Sequence, residues 1–278
     1  MHAPVQLDPS RLFVVAGPCV IESKALCHEI AAHVAMICER LNIQFIFKAS
    51  FDKANRSSGA SFRGPGLDDG LAVLQSVKDE FEVPVLTDIH EAKQAAPAAQ
   101  VVDVLQVPAF LARQTDLLLA CGRTGRTINV KKGQFMSPQE MANAIAKIKA
   151  TGNEHTWLCE RGTFFGYNRL VNDFTALAEM ANLGKPVVFD ITHSTQQPAG
   201  QGTQSGGNPH FSPMLARAAI ATGYVDGLFL ECHPDPKRAK SDPATMLSLD
   251  AVEPLLRQCA DLFKLRGNWD LSSEHPHE

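Results

Sequence analysis

The sequence predicts an α/β protein folded as a single-domain (β/α)8 barrel of the TIM type, on three observations. Short apolar runs of strand length recur eight times along the 278 residues, and helical patterns lie between them. Each run is followed within a few residues by a polar or reactive side chain, the habit of barrels whose sites gather at the C-terminal strand ends. A chain of this length can bury about three quarters of its unfolded surface, enough for a large core.

Taken in order, the first strand is LFVVA (12–16), followed by ESKALCHEIAAHVAMICERL (22–41), whose apolar residues fall at helical spacing. QFIF (44–47) is the second strand, and GLAVLQSVKDEF (70–81) repeats the helical habit. VPVL (83–86), VDVLQV (102–107), TINV (127–130) and TWLC (156–159) continue the strands, with PVVF (186–189) and GLFL (227–230) closing the set. Most are β-branched or aromatic and too continuous for a sheet with one wet face, as expected of parallel strands covered on both sides. SPQEMANAIAKIKATG (137–152) opens with Ser137, Pro138 and Glu140, a cap, a first-turn proline and a capping box, and stops at Gly152. SPMLARAAIATG (212–223) has the same form.

A doubly wound sheet is the main rival, but no GxGxxG follows the first strand. No internal repeat or linker divides the chain, so residues 1–278 read as one catalytic-size barrel with an N-terminal arm (1–10) and a polar, frayed tail (268–278). STQQPAGQGTQSGGNPHF (194–211) is glycine-rich, is expected to lack regular structure, and reads as a mobile cover over the strand ends. Its GQGTQSGG lacks the position and spacing of a nucleotide loop.

Composition excludes several classes. With 45% hydrophobic and 20% charged residues and a formal net charge of −4, nothing points to nucleic acid or an anionic membrane surface. No apolar run approaches the roughly 18 residues of a membrane span, and the start lacks a signal-peptide pattern. Seven cysteines, odd in number and never in a CxxC pair, suit reduced thiols and a cytoplasmic enzyme.

The strand exits carry Cys19, Lys48, Asp88 with His90, Gln106, Lys131, Glu160 with Arg161, Asp190 with His193, and Glu231 with His233. A polar residue after one strand is ordinary loop solvation. Eight together, brought to one rim, read as a shared site. The cations fall in two groups: Lys48, Lys53, Arg56 and Arg63 in FKASFDKANRSSGASFRGPG (47–66), and Lys131, Lys132 and Arg161 with Arg113 nearby. Lysine as a point charge and arginine as a fork are the usual holders of phosphate and carboxylate, so two anionic ligands are expected. Cys19, His193, Glu231 and Asp242 are residue types that ligate Zn²⁺, Fe²⁺ or Mn²⁺, but their scattered spacing leaves purely structural roles open.

Longer stretches then carry a resemblance. GPCVIES (17–23), the FDKANRSS block, TDIHE (87–91), QVPAFLARQTDLL (106–118), NVKKGQF (129–135), ERGTFFGYN (160–168), DITHSTQ (190–196) and HPDPKRAKSD (233–242) occur in the order of the 3-deoxy-D-manno-octulosonate-8-phosphate synthase family, which the chain resembles over nearly its whole length. The resemblance implies condensation of phosphoenolpyruvate with D-arabinose 5-phosphate for the inner sugar of lipopolysaccharide, in a homotetramer. It implies that Lys53, Lys131 and Arg161 hold phosphoenolpyruvate with Lys48 and Gln106 beside them, and that Asn55, Arg56 and Ser57 take the sugar phosphate. Arg63, Pro108 and Phe110 join the substrate-binding set, and Arg113 matches an arginine that reaches a neighbouring subunit's site. Asp88 and His90 would face the aldehyde and handle protons, with Lys53 beside them.

Cys19 stands where the metal-independent branch has asparagine, which implies the metal-dependent branch, one divalent ion, and Cys19, His193, Glu231 and Asp242 as its ligands. After Asp242 the chain departs from the family pattern, with Met246 and Ser248 in place of glutamine and proline. The nearest alternative is 3-deoxy-D-arabino-heptulosonate-7-phosphate synthase, whose comparable loop reads lysine-proline-arginine-threonine against ANRSS (54–58) here. A non-catalytic sugar-phosphate-binding barrel is the other.

Overall fold

Each of the eight apolar runs becomes a barrel strand in the computed structural model, which describes residues 3–54, 61–198, 206–266 and 269. The chain runs β1 (Phe13–Gly17), α1 (Lys24–Leu41), β2 (Gln44–Lys48), α2 (Leu67–Phe81), β3 (Val85–Asp88), α3 (Ala95–Ala99) and β4 (Val104–Val107). It continues through α4 (Thr115–Gly122), β5 (Thr127–Lys131), α5 (Met141–Lys149), β6 (Thr156–Glu160), the hairpin β7 (Thr163–Gly166) and β8 (Arg169–Val171), and α6 (Thr175–Ala181). Then come β9 (Val187–Asp190), the short pair β10 (Gln196–Gln197) and β11 (Gly206–Gly207), α7 (Ser212–Ala221), β12 (Gly227–His233), β13 (Leu247–Ser248) and α8 (Leu249–Arg266). β1 to β6, β9 and β12 pair in that order, all parallel, and β12 pairs back onto β1 to close the cylinder.

The period of two along each strand divides the chain into two cores. Val14, Phe45, Phe47, Val85, Leu105, Ile128, Val130, Leu158, Val187, Phe189, Leu228 and Leu230 face outward and pack against the helices. Phe13, Val15, Ile46, Leu86, Val104, Trp157, Cys159, Val188 and Phe229 fill the interior. At its base the Phe13 and Trp157 rings lie 4.9 Å apart. The N-terminal arm closes that end, with Val5 and Leu7 against the interior cluster and the Val5 N–H donating to Thr127 Oγ1 at 3.1 Å. Continuing the same inward phase one step further reaches Gly17, Lys48, Asp88, Gln106, Lys131, Asp190 and Glu231. These residues therefore sit on the strands themselves, and Lys48, Asp88, Lys131, Asp190 and Glu231 are not the loop residues the pattern suggests, because the strands run past the apolar stretch.

Local signals explain the helix ends. Ser23 Oγ accepts the Leu26 N–H at 3.2 Å, and Asn42 ends α1 in the left-handed region at φ 55°. Ser137 and Glu140 form their reciprocal bonds, at 2.8 Å and 3.4 Å, yet α5 begins only at Met141. The intervening turn is wound tighter than an α-helix, its amides bonding three residues back (Glu140 to Ser137, Met141 to Pro138).

One further expectation is corrected. The 194–211 segment does carry regular structure at its flanks: β10 pairs antiparallel with β11, and single 3-10 turns span His193–Thr195 and Pro209–Phe211. Its centre, 199–205, lies outside the described residues, as does most of the 268–278 tail. The ERGTFFGYN stretch, read only as a motif, is the β7–β8 hairpin, with Phe165 and Asn168 at positive φ (86° and 50°). All seven cysteines are free and buried. Among the described residues no helix is long and apolar enough to cross a membrane.

Gly17 is needed for space. A Cβ there would lie 1.9 Å from the Lys48 carbonyl oxygen and 2.9 Å from its carbon. Gly17→Ala should cost about 1–3 kcal/mol or more in urea unfolding, the range for overpacking a core. An unchanged midpoint would contradict the close approach of β1 and β2.

Candidate functional site

The mouth of the barrel is a ring of buried charge. Lys48 Nζ donates to Glu231 Oε1 at 2.7 Å and to the Cys19 carbonyl at 2.8 Å, each side chain only 1% exposed. Lys131 Nζ meets Asp190 Oδ2 at 2.6 Å and sits 3.7 Å above the centroid of Phe229, whose ring forms the floor. Lys53 Nζ is 3.9 Å from Asp88 Oδ2, which is also 3.4 Å from His90 Nε2. Gln106 Oε1 accepts from Asn129 Nδ2 at 2.9 Å. Arg161 follows β6 and bonds Gln196 Oε1 at 2.6 Å through one terminal nitrogen, while its other, Nη1, is buried without a partner.

Charge governs the protonation of this ring. Burial alone would raise the carboxyls of Asp88, Asp190 and Glu231, but Lys48, Lys53, Lys131 and the neighbouring histidines hold all three below the usual range. Burial works against the Lys53 ammonium, yet Cys19, Asp88, Glu231 and Asp242 push it above its ordinary value. Burial also lowers Arg161, which stays cationic because guanidinium starts so high.

Beside the cations lies a pocket of ligand-type atoms. One donor atom each from Cys19, Glu231 and Asp242 lies within 4.8 Å of the others, and Cys19 Sγ stands 3.1 Å from Asp242 Oδ2. His193 is outside this mutually close triad, but its Nε2 faces Glu231 Oε2 at 3.7 Å. Glu231 Oε2 is buried with no hydrogen-bond partner. Ligands around a tetrahedral ion with bonds of 2.0–2.3 Å stand about 3.3–3.8 Å apart, close to the 3.1 Å between Cys19 and Asp242 and the 3.7 Å between His193 and Glu231. Asp242 adopts the left-handed region at φ 48°, a conformation that for a non-glycine residue marks a constrained site. Burial and Glu231 raise the Cys19 thiol well above its ordinary value, and Met246 and Ala239 form its apolar wall. Thus the departure at Met246 packs against the sulfur.

Other residues named from the sequence lie elsewhere. Arg63 is surface-exposed and paired with Asp52 through two bonds, Nε to Oδ1 at 2.8 Å and Nη2 to Oδ2 at 2.5 Å. Lys132 points away from the mouth and is fully buried, donating to Met136 O and Thr163 Oγ1 near Glu160, because it follows Lys131 on the opposite phase. Glu160 in turn receives the Arg161 and Gly162 amides and braces that loop. Pro108 is half-buried, while Phe110 and Arg113 are exposed outside the ring. Asn55, Arg56 and Ser57 lie outside the described residues. Sequence reasoning missed Phe229, which reads as plain core; its inward phase, two residues before Glu231, was the available signal.

The comparisons with known proteins fit this geometry. A sequence model of the DAHP synthetase I family matches residues 7–266. A protein of Granulibacter bethesdensis named 2-dehydro-3-deoxyphosphooctonate aldolase is 58% identical over 88% of this chain and 86% of its own. Proteins of the same name from Acidithiobacillus ferrooxidans and Cyanothece sp. are 52% and 56% identical, over 96% and 90% of this chain and 94% and 92% of theirs. The chain belongs to the DAHP synthetase I family. Within it, the chain groups with the 2-dehydro-3-deoxyphosphooctonate aldolases and is an enzyme of that kind.

The depressed carboxyls of this family member make a testable stability signature. A carboxyl that titrates lower when folded contributes stability fully present above its unfolded value of about 4, and lost as pH falls through the folded value. The urea midpoint should therefore be lower at pH 3 than at pH 5. An equal or higher midpoint at pH 3 would contradict the ring of salt-bridged carboxylates.

Proposed function

We propose that this chain condenses phosphoenolpyruvate with D-arabinose 5-phosphate and water, yielding 3-deoxy-D-manno-octulosonate 8-phosphate and inorganic phosphate. The observation that carries the reading is a cation-rich barrel mouth directly beside the Cys19, Glu231 and Asp242 cluster. The name its relatives carry favours it over the heptulosonate alternative and over a silent binding barrel.

The methylene carbon of phosphoenolpyruvate is nucleophilic and attacks the aldehyde of the open-chain pentose. Positive charge develops on the second carbon, water adds there, and the hemiketal phosphate collapses to the keto acid and phosphate with carbon–oxygen cleavage. Lys53, Lys131 and Arg161 bind the phosphate and carboxylate of phosphoenolpyruvate, and Lys48 and Gln106 complete that subsite. Lys53 and Arg161 have spare capacity for an anion: among the described residues the first pairs with a carboxylate at 3.9 Å, and the second has an unpartnered nitrogen. Asn55, Arg56 and Ser57 take the sugar phosphate. Asp88 and His90 face the aldehyde and deliver the proton that its oxygen takes up as the carbon–carbon bond forms. Holding both reactants in one orientation can supply up to about 7–11 kcal/mol of the barrier. A divalent ion held by Cys19, His193, Glu231 and Asp242, as zinc, iron or manganese, would supply Lewis-acid polarisation of the aldehyde or of water.

The same reading makes residues 1–278 one catalytic unit in a cytoplasmic homotetramer serving lipopolysaccharide synthesis. Arg113 and Phe110 are exposed beyond the ring, and Phe135, Phe165 and Tyr167 are exposed large aromatics. The hairpin bearing Phe165 is tied to the Gln134 carbonyl through the Phe164 amide. Exposed apolar surface of this extent suits contact with a neighbouring subunit, with Arg113 reaching its site.

With phosphoenolpyruvate labelled with ¹⁸O at the bridging position, phosphate carrying the label should appear with arabinose 5-phosphate and not with erythrose 4-phosphate. Chelation should abolish turnover, and Lys131→Ala should raise KM for phosphoenolpyruvate about 10- to 100-fold, the loss of a charge-assisted bond. Label in the organic product, preference for the four-carbon sugar, or chelator-insensitive turnover would each overturn part of this reading.

A further inference from the structure

Asp190 has no role in the mechanism above, yet it is completely buried at the end of β9 and accepts five hydrogen bonds. Its two oxygens divide the work. Oδ1 takes the Thr192 amide at 3.1 Å, the Thr192 hydroxyl at 3.0 Å and the His193 amide at 2.9 Å, which fixes the side chain against its own turn. Oδ2 faces the Lys131 ammonium at 2.6 Å and His193 Nδ1 at 2.7 Å.

Elementary donor and acceptor rules assign the histidine tautomer. A carboxylate oxygen only accepts, and an ammonium only donates. A bare Nδ1 would set its lone pair against the Asp190 oxygen at 2.7 Å, so Nδ1 carries the hydrogen and donates it. Lys131 Nζ, 3.4 Å from the same nitrogen, is then turned to Oδ2 and to the Phe229 ring. In a neutral ring the lone pair is left on Nε2, which looks at the partnerless Glu231 Oε2 across 3.7 Å. Two acceptors facing each other at this distance are stabilised by a cation between them.

We infer that Asp190 is a positioning residue shared by the two halves of the site, its Oδ2 setting both the His193 tautomer and the place of the Lys131 ammonium. The inference rests on the proposed roles of His193 toward a cation and of Lys131 toward phosphoenolpyruvate. It makes cation affinity and anion affinity depend on a single carboxylate oxygen.

The test is Asp190→Asn, which keeps the shape. Three donors hold the amide oxygen at the Oδ1 position, so the amide nitrogen takes the Oδ2 position. It then presents N–H to the Lys131 ammonium and to His193 Nδ1, driving the imidazole proton to Nε2. Metal-free protein is titrated with Co²⁺, read by the thiolate-to-cobalt absorption and by calorimetry, and separately with phosphoenolpyruvate. Asp190→Asn should weaken Co²⁺ binding by about 10- to 100-fold, the usual effect of losing a carboxylate behind a ligating histidine, and should weaken phosphoenolpyruvate binding about tenfold. In a His193→Ala background the substitution should cost little further Co²⁺ affinity, and in a Lys131→Ala background little further phosphoenolpyruvate affinity. Loss of only one affinity, of neither, or additive losses in both backgrounds would overturn the shared role while leaving the site assignments intact. If His193→Ala and Lys131→Ala themselves leave the two affinities unchanged, the site reading fails and takes the inference with it. Nitrogen-15 spectra of histidine-labelled wild-type protein supply a second readout that needs no variant. They should show His193 protonated at Nδ1; a neutral ring protonated at Nε2 would overturn the inference.

Discussion

The buried pair of Lys48 and Glu231 is the contact on which the mouth of this barrel depends. Both side chains are 1% exposed, and their charged atoms stand 2.7 Å apart. Removing either partner from such a pair typically costs about 3–5 kcal/mol, because an uncompensated charge is left in a low-dielectric interior. The pair also places its surroundings. Lys48 holds the Cys19 carbonyl, which fixes where the chain leaves β1, and Glu231 keeps its second oxygen free toward His193. Neighbouring charges repeat the arrangement, so Lys131 with Asp190 and Lys53 with Asp88 form a ring in which each charge is tolerable only because of the next. Such a ring is preorganised, and a reaction between two polyanions benefits from cations that need no rearrangement when the substrates arrive.

Much of this was legible in the sequence because barrel strands obey two simple rules. Continuous β-branched and aromatic runs mark strands covered on both faces, and every run here except the fourth, which carries Gln106, leads into a charged or thiol-bearing residue. The exits of β2, β3, β5, β9 and β12 were readable from that pattern alone. The strand ends themselves were not, since Lys48, Asp88, Lys131 and Asp190 continue the ladder while breaking the apolar pattern that signals a strand. Phase was also invisible without a fixed register: adjacent Lys131 and Lys132 look equivalent in the sequence, but one faces the mouth and the other a brace around Glu160.

Pairings between distant segments were the least accessible. Nothing local shows that Arg63 is spent on Asp52 at the surface, or that a single Asp190 oxygen meets both a lysine on β5 and the ring of the histidine three residues on. The ligand set is a similar case. Cys19 follows β1 while Glu231 and Asp242 belong to β12 and the loop after it, and they meet only after β12 closes onto β1, with Gly17 registered beside Glu231. The motif resemblance named these residues, whereas residue spacing could not. The β7–β8 hairpin escaped notice for another reason: its exposed aromatics follow no period, and its positive φ values fall on Phe165 and Asn168 instead of glycine.

The central claim is that thiol, imidazole and carboxylates from distant exits form one cation site inside this charged ring. X-ray absorption at the metal edge of zinc-loaded protein tests it most directly. One sulfur at about 2.3 Å together with nitrogen or oxygen neighbours at about 2.0–2.2 Å is the predicted shell. A bound ion surrounded only by oxygen and nitrogen, or no stoichiometric uptake of zinc, would contradict it.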